Sequence, residues 1–589
     1  MKFASPDEQK ELFRKHRKIT AQHQAQRDQY DGVKIAVLSG VTTSPFTGIL
    51  EALLLESGLN PQIMEGDYNA YQFEARFSET LATFDPEVVH LHTAIDNLTE
   101  RPDTGGDADA VQQLVERFWR EYQATIDALL ARTKASIIVN NFEFPNFRMN
   151  GSIEAVVDGG SIRFVNMLND RLANLARDNS RVVLNDVNYL AAKVGLENWR
   201  DDNSYIAFKQ PFTSRGVTEL ARSVASLVRS LKGKSNKCLV LDLDNTLWGG
   251  IIGDDGVENV LIGMDSPKGE AYLAFHKAVR PLLSRGIAFA VCSKNNEDIA
   301  RAGLRRAAMH LKEDDFHVVK INWRPKSENI QGIKTALNIG LDSIVFVDDS
   351  EFERSEVKFA LPTLNVIDAP ADPLAFIQAL SNTYAFETIS LSKEDLKRGE
   401  SFKAMVEFAE MSETGSIDDF LRSLQMSCTI GPVTADSETR IHQLINKTNQ
   451  FNLTTTRVTV GEVQDYAARG VILSASLKDR NTDYGIISAL WGDIEGSEFK
   501  LVNWVMSCRV FNRKLEHVFF YRLYEQLRNA GVKKMSARYV LSEKNKAFHN
   551  LLEELGMTKI HQDGDTTEYE CSIPSDSVQE LAANEEFYA

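Results

Sequence analysis

The segment that most restricts the fold reads KCLVLDLDNTLWGGIIGDDG. Its apolar run, Cys238 to Leu241, is typical of a strand that is buried on both faces in a parallel sheet. Two carboxylates, Asp242 and Asp244, follow this run directly, and Asn245 and Thr246 come next. Acidic side chains at the end of a buried strand need partners, because an unpaired buried charge is costly. The segment therefore predicts a parallel α/β unit with polar chemistry at one edge of its sheet.

Three further polar signals follow in order along the same part of the chain. Ser293 stands in VCSKNN at the end of a predicted strand, and Lys326 stands in WRPKSEN at the start of a predicted helix. Asp348 and Asp349 end the predicted strand in VFVDDS. The carboxyl ends of parallel strands line one edge of a sheet, where ligands bind. We therefore expect these side chains to converge on Asp242.

Each of these residue types has a role in phosphoryl transfer. A carboxylate can attack phosphorus and form an acyl phosphate, so Asp242 is the predicted nucleophile. A second carboxyl two residues on, Asp244, can donate and then accept a proton. Carboxylates and a phosphate repel each other, so we expect Mg²⁺ held by Asp242, the main chain of Asp244 and Asp348, with Lys326 as a further positive charge. Ser293 would hydrogen-bond the phosphate.

The ordered set of DLDNT, SKN, the lysine and VDD resembles the haloacid dehalogenase superfamily of phosphotransferases, in the spelling of its FkbH-like branch. The resemblance implies a Rossmann-like domain with a parallel sheet. It also implies phosphate or substrate contacts from Thr246, Asn245, Asn295 and Asp349. Only 51 positions separate Asp242 from Ser293, and predicted helices and strands use most of them. No large lid domain fits there, so we expect a capless domain.

The FkbH-like resemblance extends from about residue 33 to about residue 570. The stretches QLINKTNQFNLTTTRVT and MSCRVFNRKLEH resemble the C-terminal domain of that branch, which is similar to the N-acetyltransferase fold. Its best-understood members take a glyceryl group from 1,3-bisphosphoglycerate, discard phosphate, hold the acyl group on a cysteine and pass it to the phosphopantetheine thiol of an acyl carrier protein. Other members have no assigned substrate. The resemblance thus implies Mg²⁺ and an acyl carrier protein without fixing the reaction.

Two cysteines are candidates for the acyl-carrying thiol. Cys292 directly precedes Ser293, and Cys508 lies in MSCRVFNRKLEH. A thiol near a cationic or metal site can be partly thiolate, whereas a thiol inside a strand behaves as a small hydrophobic group. Both interpretations stay open for each cysteine.

The loop RVFNRK is a candidate phosphate-binding loop. In N-acetyltransferase-like folds the pattern R-x-x-G-x-G precedes a helix whose amides bind the pyrophosphate of coenzyme A. Here Asn512 and Lys514 stand where that pattern has glycines, and the Lys514 side chain should crowd a pyrophosphate. We therefore predict weak or absent coenzyme A binding. Arg509, Arg513 and Lys514 can instead hold the single phosphate of a carrier-bound pantetheine, or they are solvated charges on a packing loop.

Alternating strand and helix patterns from Val33 onward predict another parallel α/β domain. VKIAVLSG, PEVVHLHT, ASIIVNNFE and SRVVLND are its predicted strands, and PFTGILEALLLESGLNPQIMEG predicts a helix followed by a loop. In the next domain, PKGEAYLAFHKAVRPLLSRG predicts one amphipathic helix.

The first domain resembles the SGNH-hydrolase fold, but its catalytic signals are incomplete. Ser39 and Gly40 stand in place of G-D-S, NNFEFP supplies Asn140 and Asn141, and DDNSYIAFKQPF lacks a D-x-x-H base. A serine without a nearby base is a weak nucleophile, so we expect a binding or docking role. The two histidines of VVHLHT, His90 and His92, alternate on one strand, and we interpret them as packing residues rather than ligands.

The whole chain is therefore predicted to be a multidomain α/β protein. The predicted order is an N-terminal helical arm (1–32), an SGNH-hydrolase-like α/β domain (33–233), a capless haloacid dehalogenase-type domain with a parallel sheet (237–386), a helical linker (387–423), an α+β N-acetyltransferase-like domain (424–574) and an acidic tail (575–589).

Charge and hydropathy exclude some functions. The formal net charge of −17 argues against general binding of nucleic acid or anionic membranes. No window reaches the roughly 18 consecutive apolar residues of a membrane span, and the start of the chain has no signal-peptide core, so we expect a cytoplasmic protein. The five cysteines are scattered without a C-x-x-C pair, which supports neither a disulfide framework nor a zinc site.

The leading hypothesis is a Mg²⁺-dependent phosphotransferase of FkbH type that couples phosphate removal to acyl loading of a carrier protein. A stand-alone phosphatase for a small sugar phosphate or other ester is the second hypothesis. The third is a scaffold whose outer domains bind partners while the central site is idle. The sequence does not identify the acyl group, the carrier protein or the oligomeric state.

Overall fold

The computed structural model describes residues 6–369, 372–412, 421–469, 471–480, 482–511, 513–542, 544–573 and 588. The chain divides into two compact units. One consists of Met1–Leu231 and Thr459–Asp465, and the other of Lys232–Val458 and Tyr466–Ala589. The exact domain boundaries set out above stay predictions.

The first unit is built on a five-stranded parallel sheet in the order β2-β1-β3-β4-β5. Its strands are β1 Asp31–Ser39, β2 Leu59–Glu65, β3 Val88–His92, β4 Ser136–Asn140 and β5 Val182–Asn185. Its helices are α1 Pro6–His23, α2 Phe46–Glu56, α3 Tyr71–Phe77, α4 Glu79–Phe84, α5 Ala108–Arg132, α6 Ser161–Asp178, α7 Val187–Val194, α8 Leu196–Trp199, α9 Asp202–Phe208 and α10 Ser214–Leu231. This sheet confirms the predicted parallel α/β class.

One strand of this sheet was not expected from the sequence. The segment LNPQIME, predicted as a loop, forms β2 and pairs with β1 along its whole length. It holds Pro61, whose missing N–H is tolerated because β2 is the edge strand. The central strands β3 and β4 are buried at every position, as expected for strands covered on both faces.

The second unit begins with another five-stranded parallel sheet, in the order β10-β9-β6-β7-β8. Its strands are β6 Cys238–Leu241, β7 Ala288–Ser293, β8 Val318–Ile321, β9 Ile344–Val347 and β10 Asn365–Val366. Its helices are α11 Ile252–Asp255, α12 Pro267–Val279, α13 Pro281–Ser284, α14 Glu297–Leu304, α15 Lys326–Leu337, α16 Glu351–Ala360 and α17 Pro373–Ser381. The single helix predicted over α12 and α13 is interrupted, because Pro281 cannot donate the hydrogen bond that a continuous helix needs.

Two more helices lie in the predicted linker, and a mixed sheet follows. The linker helices are α18 Lys393–Leu396 and α19 Arg398–Ser412. The strands are β11 Ser427–Pro432, β12 Phe451–Asn452, β13 Ile472–Lys478, β14 Asp483–Glu495, β15 Glu498–Met506, β16 Lys534–Val540, β17 Thr558–Asp563 and β18 Thr566–Ser572. The helices are α20 Glu438–Lys447, α21 Val460–Arg469, α22 Leu515–Asn529 and α23 Leu551–Glu554.

The strands of this mixed sheet are antiparallel except for the β15–β16 pair. Their order is β11-β13-β14-β15-β16-β18-β17, and the short β12 pairs with β15. Helices α20, α22 and α23 accompany the sheet, so this region is the predicted α+β domain. The predicted acidic tail lies outside the described residues apart from residue 588. Within the described part of the chain, no helix combines the length and apolarity needed to cross a membrane.

Candidate functional site

The three central strands of the second parallel sheet deliver polar residues to one edge. Asp242 follows β6, Ser293 ends β7 and Asp348 follows β9, and β6 lies between the other two strands. The Asp242 amide continues the ladder by donating to the Val347 carbonyl at 3.1 Å. We call this edge, with the residues that meet there, the carboxyl edge. The predicted convergence of these strand ends is therefore present.

Lys326, the first residue of α15, joins two of these carboxylates. Its Nζ lies 3.0 Å from Asp242 Oδ2 and 2.5 Å from Asp348 Oδ2. The Lys326 side chain is 3% exposed and that of Asp348 is fully buried. Burial alone would lower the pKa of Lys326, but attraction to Asp242 and Asp348 raises it. The pKa of Asp348 is raised to about 7, first by burial and then by repulsion from Asp242, with Lys326 opposing both.

A third carboxylate completes an acidic cluster that fits a divalent cation. Asp242, Asp348 and Asp349 each offer a carboxylate oxygen, and these oxygens lie within 4.8 Å of one another. Asp242 Oδ1 is buried and has no hydrogen-bond partner among the residues that the structure describes. A buried carboxylate oxygen without a partner is costly, and oxygen ligands are those that Mg²⁺ prefers. The donor set therefore fits Mg²⁺, with the side chain of Asp349 in addition to the predicted Asp242 and Asp348.

The side chain of Asp244 turns away from this cluster. Its Oδ1 accepts from Trp248 Nε1 at 2.8 Å and from the Ile252 amide at 3.0 Å, and its Oδ2 accepts from Asn295 Nδ2 at 2.8 Å. Burial raises the pKa of Asp244 in spite of these donors. A carboxyl group whose protonated form is favoured by burial suits a general acid. Asn295, predicted to contact substrate, here orients Asp244.

The loop after β6 is fixed by Asn245. This residue has a positive φ of 53°, and its Oδ1 accepts from the Gly250 amide at 3.0 Å. Gly250 itself has a φ of 99°, and a Cβ at that position would lie 2.4 Å from Asp255 Oδ2. Asparagine and glycine adopt such conformations more easily than other residues. The predicted substrate contact of Asn245 stays a prediction, because its side chain closes the loop here.

Thr246 and Ser293 occupy the predicted positions at the carboxyl edge. Thr246 is fully buried, and its Oγ1 accepts from the Asp349 amide at 3.2 Å, which links the loops that follow β6 and β9. Ser293 is buried at the end of β7. Their predicted roles in phosphate binding stay predictions.

Sequence reasoning did not identify the residues that hold the loop after β9. Arg354 Nη1 donates to the carbonyls of Asp348 and Asp349 at 2.8 and 2.7 Å. The Ser350 amide donates to Asp348 Oδ1 at 2.9 Å. The sequence gives one weak signal for this role of Arg354. It is the position of Arg354 after VDD, about one helical turn into α16.

The two candidate thiols lie in different environments. Cys292 is fully buried among Cys238, Val240 and Ile330, and burial raises the pKa of its thiol. Its Sγ lies 3.7 Å from the Lys326 carbonyl. This environment favours the small hydrophobic role over the nucleophilic role for Cys292.

Cys508 lies near the opposite edge of the parallel sheet. It lines the same cavity as Lys237, the residue that precedes β6, and its carbonyl accepts from Asn338 Nδ2 at 3.3 Å. Burial raises the pKa of the Cys508 thiol, and Lys237 opposes this shift. The five residue steps from Lys237 to Asp242 span roughly 16 Å in an extended strand. Cys508 is therefore remote from the carboxyl edge.

Arg509, Val510 and Arg513 of the RVFNRK loop are buried, whereas Lys514 is partly exposed. Arg513 Nη1 lies 2.7 Å from Asp479 Oδ2, and its Nη2 donates to Tyr484 Oη at 2.7 Å. Arg509 is also buried. Lys514 has a φ of 59° directly before α22, so this position does need the left-handed backbone that a glycine would adopt. Asn512 lies outside the described residues.

The chain itself fills the gap between β15 and β16. These strands pair as far as Leu501 and Ala537. Beyond that point the Leu453 amide donates to the Trp504 carbonyl at 3.2 Å, and the Val540 amide donates to the Leu453 carbonyl at 2.8 Å. A ligand that bound between these strands would have to displace the segment around Leu453. This arrangement favours weak coenzyme A binding, which stays a prediction.

In the first unit, Ser39 is buried at the end of β1, and its hydroxyl donates to the Val41 carbonyl at 2.5 Å. His90 and His92 are fully buried, and His92 Nδ1 lies 3.4 Å from His90 Nε2. The His92 ring stacks on Phe46. Burial lowers the pKa of His92 to about 3. These features agree with packing roles.

The side chains of the two asparagines of NNFEFP form hydrogen bonds with other residues of the first unit. Asn140 Nδ2 donates to the Thr93 carbonyl at 2.9 Å, and Asn140 Oδ1 accepts from Asn185. Asn141 Nδ2 donates to Asp186 at 2.8 Å. Neither side chain is arranged around Ser39 by these contacts.

Comparison with solved structures finds a likeness that covers more than half of the chain. The N-terminal part of protein BF1531 from Bacteroides fragilis, which contains a phosphatase domain and was crystallised with Mg, is 27% identical with a TM-score of 0.59. The alignment covers 64% of this chain and 99% of that chain. This chain is therefore similar, over most of its length, to a protein with a phosphatase domain. No protein-family model and no curated protein matches the chain.

Acetyltransferases give smaller matches. The ribosomal-protein-S18-alanine N-acetyltransferase of Escherichia coli is 14% identical with a TM-score of 0.20, covering 25% of this chain and 94% of that chain. The GNAT domain of PAT from S. lividans is 11% identical with a TM-score of 0.21, covering 25% and 90%. At these scores the likeness carries no inference about activity.

Proposed function

We propose that the chain is a Mg²⁺-dependent phosphoryl-transfer enzyme that acts at the carboxyl edge. The observation that supports this most directly is the buried cluster of Asp242, Lys326 and Asp348, in which Asp242 Oδ1 has no hydrogen-bond partner within the described part of the chain. Buried carboxylates on adjacent strand ends beside one lysine are an unusual cost for a fold without a ligand there. The phosphatase domain of BF1531, complexed with Mg, agrees with this proposal.

The proposed roles follow from these contacts. Lys326 Nζ contacts Asp242 Oδ2, so Asp242 Oδ1 is the oxygen that can face an incoming phosphorus atom or a metal ion. Asp242 forms the bond to phosphorus and the leaving oxygen departs with its electron pair. Asp244, whose pKa is raised by burial, protonates that oxygen and then takes a proton from the water that attacks phosphorus and breaks its bond to Asp242. Mg²⁺ bound by Asp242, Asp348 and Asp349 would supply the positive charge that the phosphate needs in this acidic site.

The finer proposal is an FkbH-type reaction. In it, a thiol attacks the carbonyl carbon of an acyl phosphate such as 1,3-bisphosphoglycerate, the bond from that carbon to the phosphate oxygen breaks, and phosphate leaves with the electron pair. The acyl group is thereby loaded as a thioester onto an acyl carrier protein, and Asp242 removes the remaining phosphate ester by attack on phosphorus. The motif set of the whole chain supports this proposal, and the segment between β6 and β7 holds helices α11 to α13 rather than a separate lid domain, which leaves room for a bulky partner. The positions of Cys292 and Cys508 do not favour either as the acceptor at the carboxyl edge. A stand-alone phosphatase is therefore retained as the second candidate.

The deciding experiment combines the protein, Mg²⁺ and 1,3-bisphosphoglycerate with and without a carrier protein. Phosphate release and the intact masses of both proteins are measured. A mass gain of one glyceryl group on the carrier supports the FkbH-type reaction, and a gain on this chain supports a thiol intermediate. Phosphate release from sugar phosphates without any mass gain supports the phosphatase. If no phosphorylated substrate is turned over, the proposal fails and the scaffold hypothesis is favoured.

A further inference from the structure

The second unit contains a cavity of about 410 Å³ that the phosphoryl-transfer proposal does not use. It is lined by Lys237 before β6, by the segment from α15 to β9, by α19, and by two stretches of the C-terminal region. Those stretches, Lys447–Gln450 and Met506–Arg509, belong to the two sequence motifs that resemble the C-terminal domain of the FkbH-like branch. We call this the basic cavity. Its volume is that of a pocket for a small molecule.

The lining of the basic cavity is strongly unbalanced in charge. Seven of its lining residues are basic, among them Lys237, Arg398, Lys447 and Lys544, and one is acidic, Asp342. That single acid already forms an ion pair with Lys544 at 2.5 Å. In a chain whose formal net charge is −17, such a concentration of cations is a local feature.

The excess of positive charge in the lining is clearest at Arg509. Its side chain is buried, with the whole residue 6% exposed, and it lines the cavity. Its Nε donates to Ser507 Oγ at 3.1 Å and its Nη1 to Ser401 Oγ at 3.2 Å. Among the described residues it forms no ion pair. Burial, with repulsion from Arg440 and Arg398, lowers the pKa of Arg509 to about 9.

Asp395, a neighbouring acid outside the lining, does not balance the positive charge of the lining residues. Asp395 pairs with Arg398 and also lies 3.7 Å from Lys447 Nζ, so two cations share one carboxylate. Lys237 Nζ donates to the Lys447 carbonyl at 2.9 Å and forms no ion pair with a described residue. Burial, followed by repulsion from Arg398, lowers the pKa of Lys447 to about 7. Buried cations with too few counter-charges are costly unless an anion joins them.

The basic cavity is distinct from the phosphoryl-transfer site. Lys237 precedes β6 and Asp242 follows it, so the two sites lie at opposite edges of one sheet, roughly 16 Å apart along the strand. The described lining residues include no pair of carboxylates that could serve as nucleophile and acid. The cavity is therefore suited to bind a phosphate group without cleaving it.

We propose that the basic cavity is a second, non-hydrolytic binding site for a phosphate-bearing ligand. Arg509, Lys447, Lys237 and Lys544 provide the charge, and the remaining volume accommodates the body of the ligand. Two sources have this chemistry, a small phosphorylated metabolite and the phosphopantetheine arm of a carrier protein. The site does not depend on the reaction proposed above.

The test is calorimetry on the full-length chain with inorganic pyrophosphate and, separately, with 4′-phosphopantetheine. EDTA is present so that no metal-dependent binding occurs at the carboxyl edge. We expect binding that weakens at least tenfold in Arg509→Met and in Lys544→Met. The matched control is Lys500→Met, since Lys500 and Lys544 are each 48% exposed and each pairs with one acid, but Lys500 does not line the cavity. This control should bind as the wild type does.

The outcomes separate the alternatives. Tighter binding of pyrophosphate supports a small phosphorylated metabolite, and tighter binding of phosphopantetheine supports a carrier arm. Absence of binding by both probes overturns the proposal. So does binding that Asp242→Asn removes while Lys544→Met leaves it unchanged, because the anion would then occupy the carboxyl edge. If Arg509→Met does not fold, Lys447→Met takes its place beside Lys544→Met.

Discussion

The two parallel sheets of this chain have the same number of strands and both end in buried polar residues, yet they hold different chemistry. In the first sheet, Ser39 donates to a backbone carbonyl and Asn140 to another, so these groups are satisfied internally. In the second sheet, Asp242 and Asp348 share Lys326, and Asp242 Oδ1 has no partner among the described residues. A buried carboxylate oxygen without a described partner also follows the first sheet, at Glu143, so the feature that distinguishes the second sheet and marks the candidate site is the cluster of carboxylates around one lysine.

The largest effect should come from removing the carboxylate at the centre of the second sheet. Asp242→Asn should reduce phosphate release by roughly 10³-fold or more, because the amide is not an attacking anion and is a poorer metal ligand. Phosphate release and thermal unfolding are measured together. The matched control is Asp254→Asn, the same change at an exposed position of α11, which should keep full activity. Turnover close to that of the wild type in Asp242→Asn would falsify the nucleophile assignment.

Removal of Mg²⁺ should have the next largest effect. Asp242, Asp348 and Asp349 repel each other and an incoming phosphate, so the ion contributes several kcal/mol, which corresponds to roughly 100-fold or more in rate. EDTA should stop phosphate release, and added Mg²⁺ should restore it. Activity that persists through exhaustive chelation would contradict the ligand set described here.

The carboxyl edge of the second sheet could be predicted because its signal is local. An apolar run followed by Asp242 and Asp244 defines a strand and its end, and the other signals also stand at strand ends or helix starts. The meeting of Asp242 and Asp348 was predicted, but the addition of Asp349 could not be, because it depends on rotamers after the strands end. Asp244 turned to Trp248 and the Ile252 amide, while Asp349 joined the cluster.

Two other features, the edge strand β2 and the basic cavity, could not be predicted from the sequence, for different physical reasons. LNPQIME was predicted as a loop but forms the edge strand β2, and only the topology shows that this position tolerates Pro61. The basic cavity joins Lys237, Lys447 and Arg509, which are far apart in sequence and therefore leave no spacing signal. Its two motifs were recognised by resemblance, but their convergence needs the folded unit.

A smaller effect concerns the histidine pair of the first sheet. The pKa of His92 is lowered to about 3 in the folded state by burial, against about 6.5 when unfolded. Below pH 6.5 the unfolded chain therefore binds a proton that the folded chain does not, and stability falls as the pH decreases toward 3. At pH 5 this costs about 2 kcal/mol relative to neutral pH.

Two measurements check the histidine prediction. Nuclear magnetic resonance of the imidazoles should show His92 still neutral at pH 5. Urea unfolding should show that His92→Leu loses less stability than the wild type between pH 7.5 and pH 5. A His92 ring that is protonated at pH 5 in the folded protein would contradict the packing role and reopen a role in binding.

The smallest expected effect is at Ser39, which the sequence places where related hydrolases have their nucleophile. Its hydroxyl is buried and donates to the Val41 carbonyl, while His92 on the paired strand packs on Phe46 and is a weak base, because burial lowers its pKa to about 3. Nothing among these contacts removes the hydroxyl proton, so Ser39 remains a weak nucleophile. Ser39→Ala should therefore leave phosphate release unchanged and should not alter hydrolysis of p-nitrophenyl acetate. A clear loss of ester hydrolysis in Ser39→Ala, with phosphate release intact, would show that both parallel sheets carry working sites.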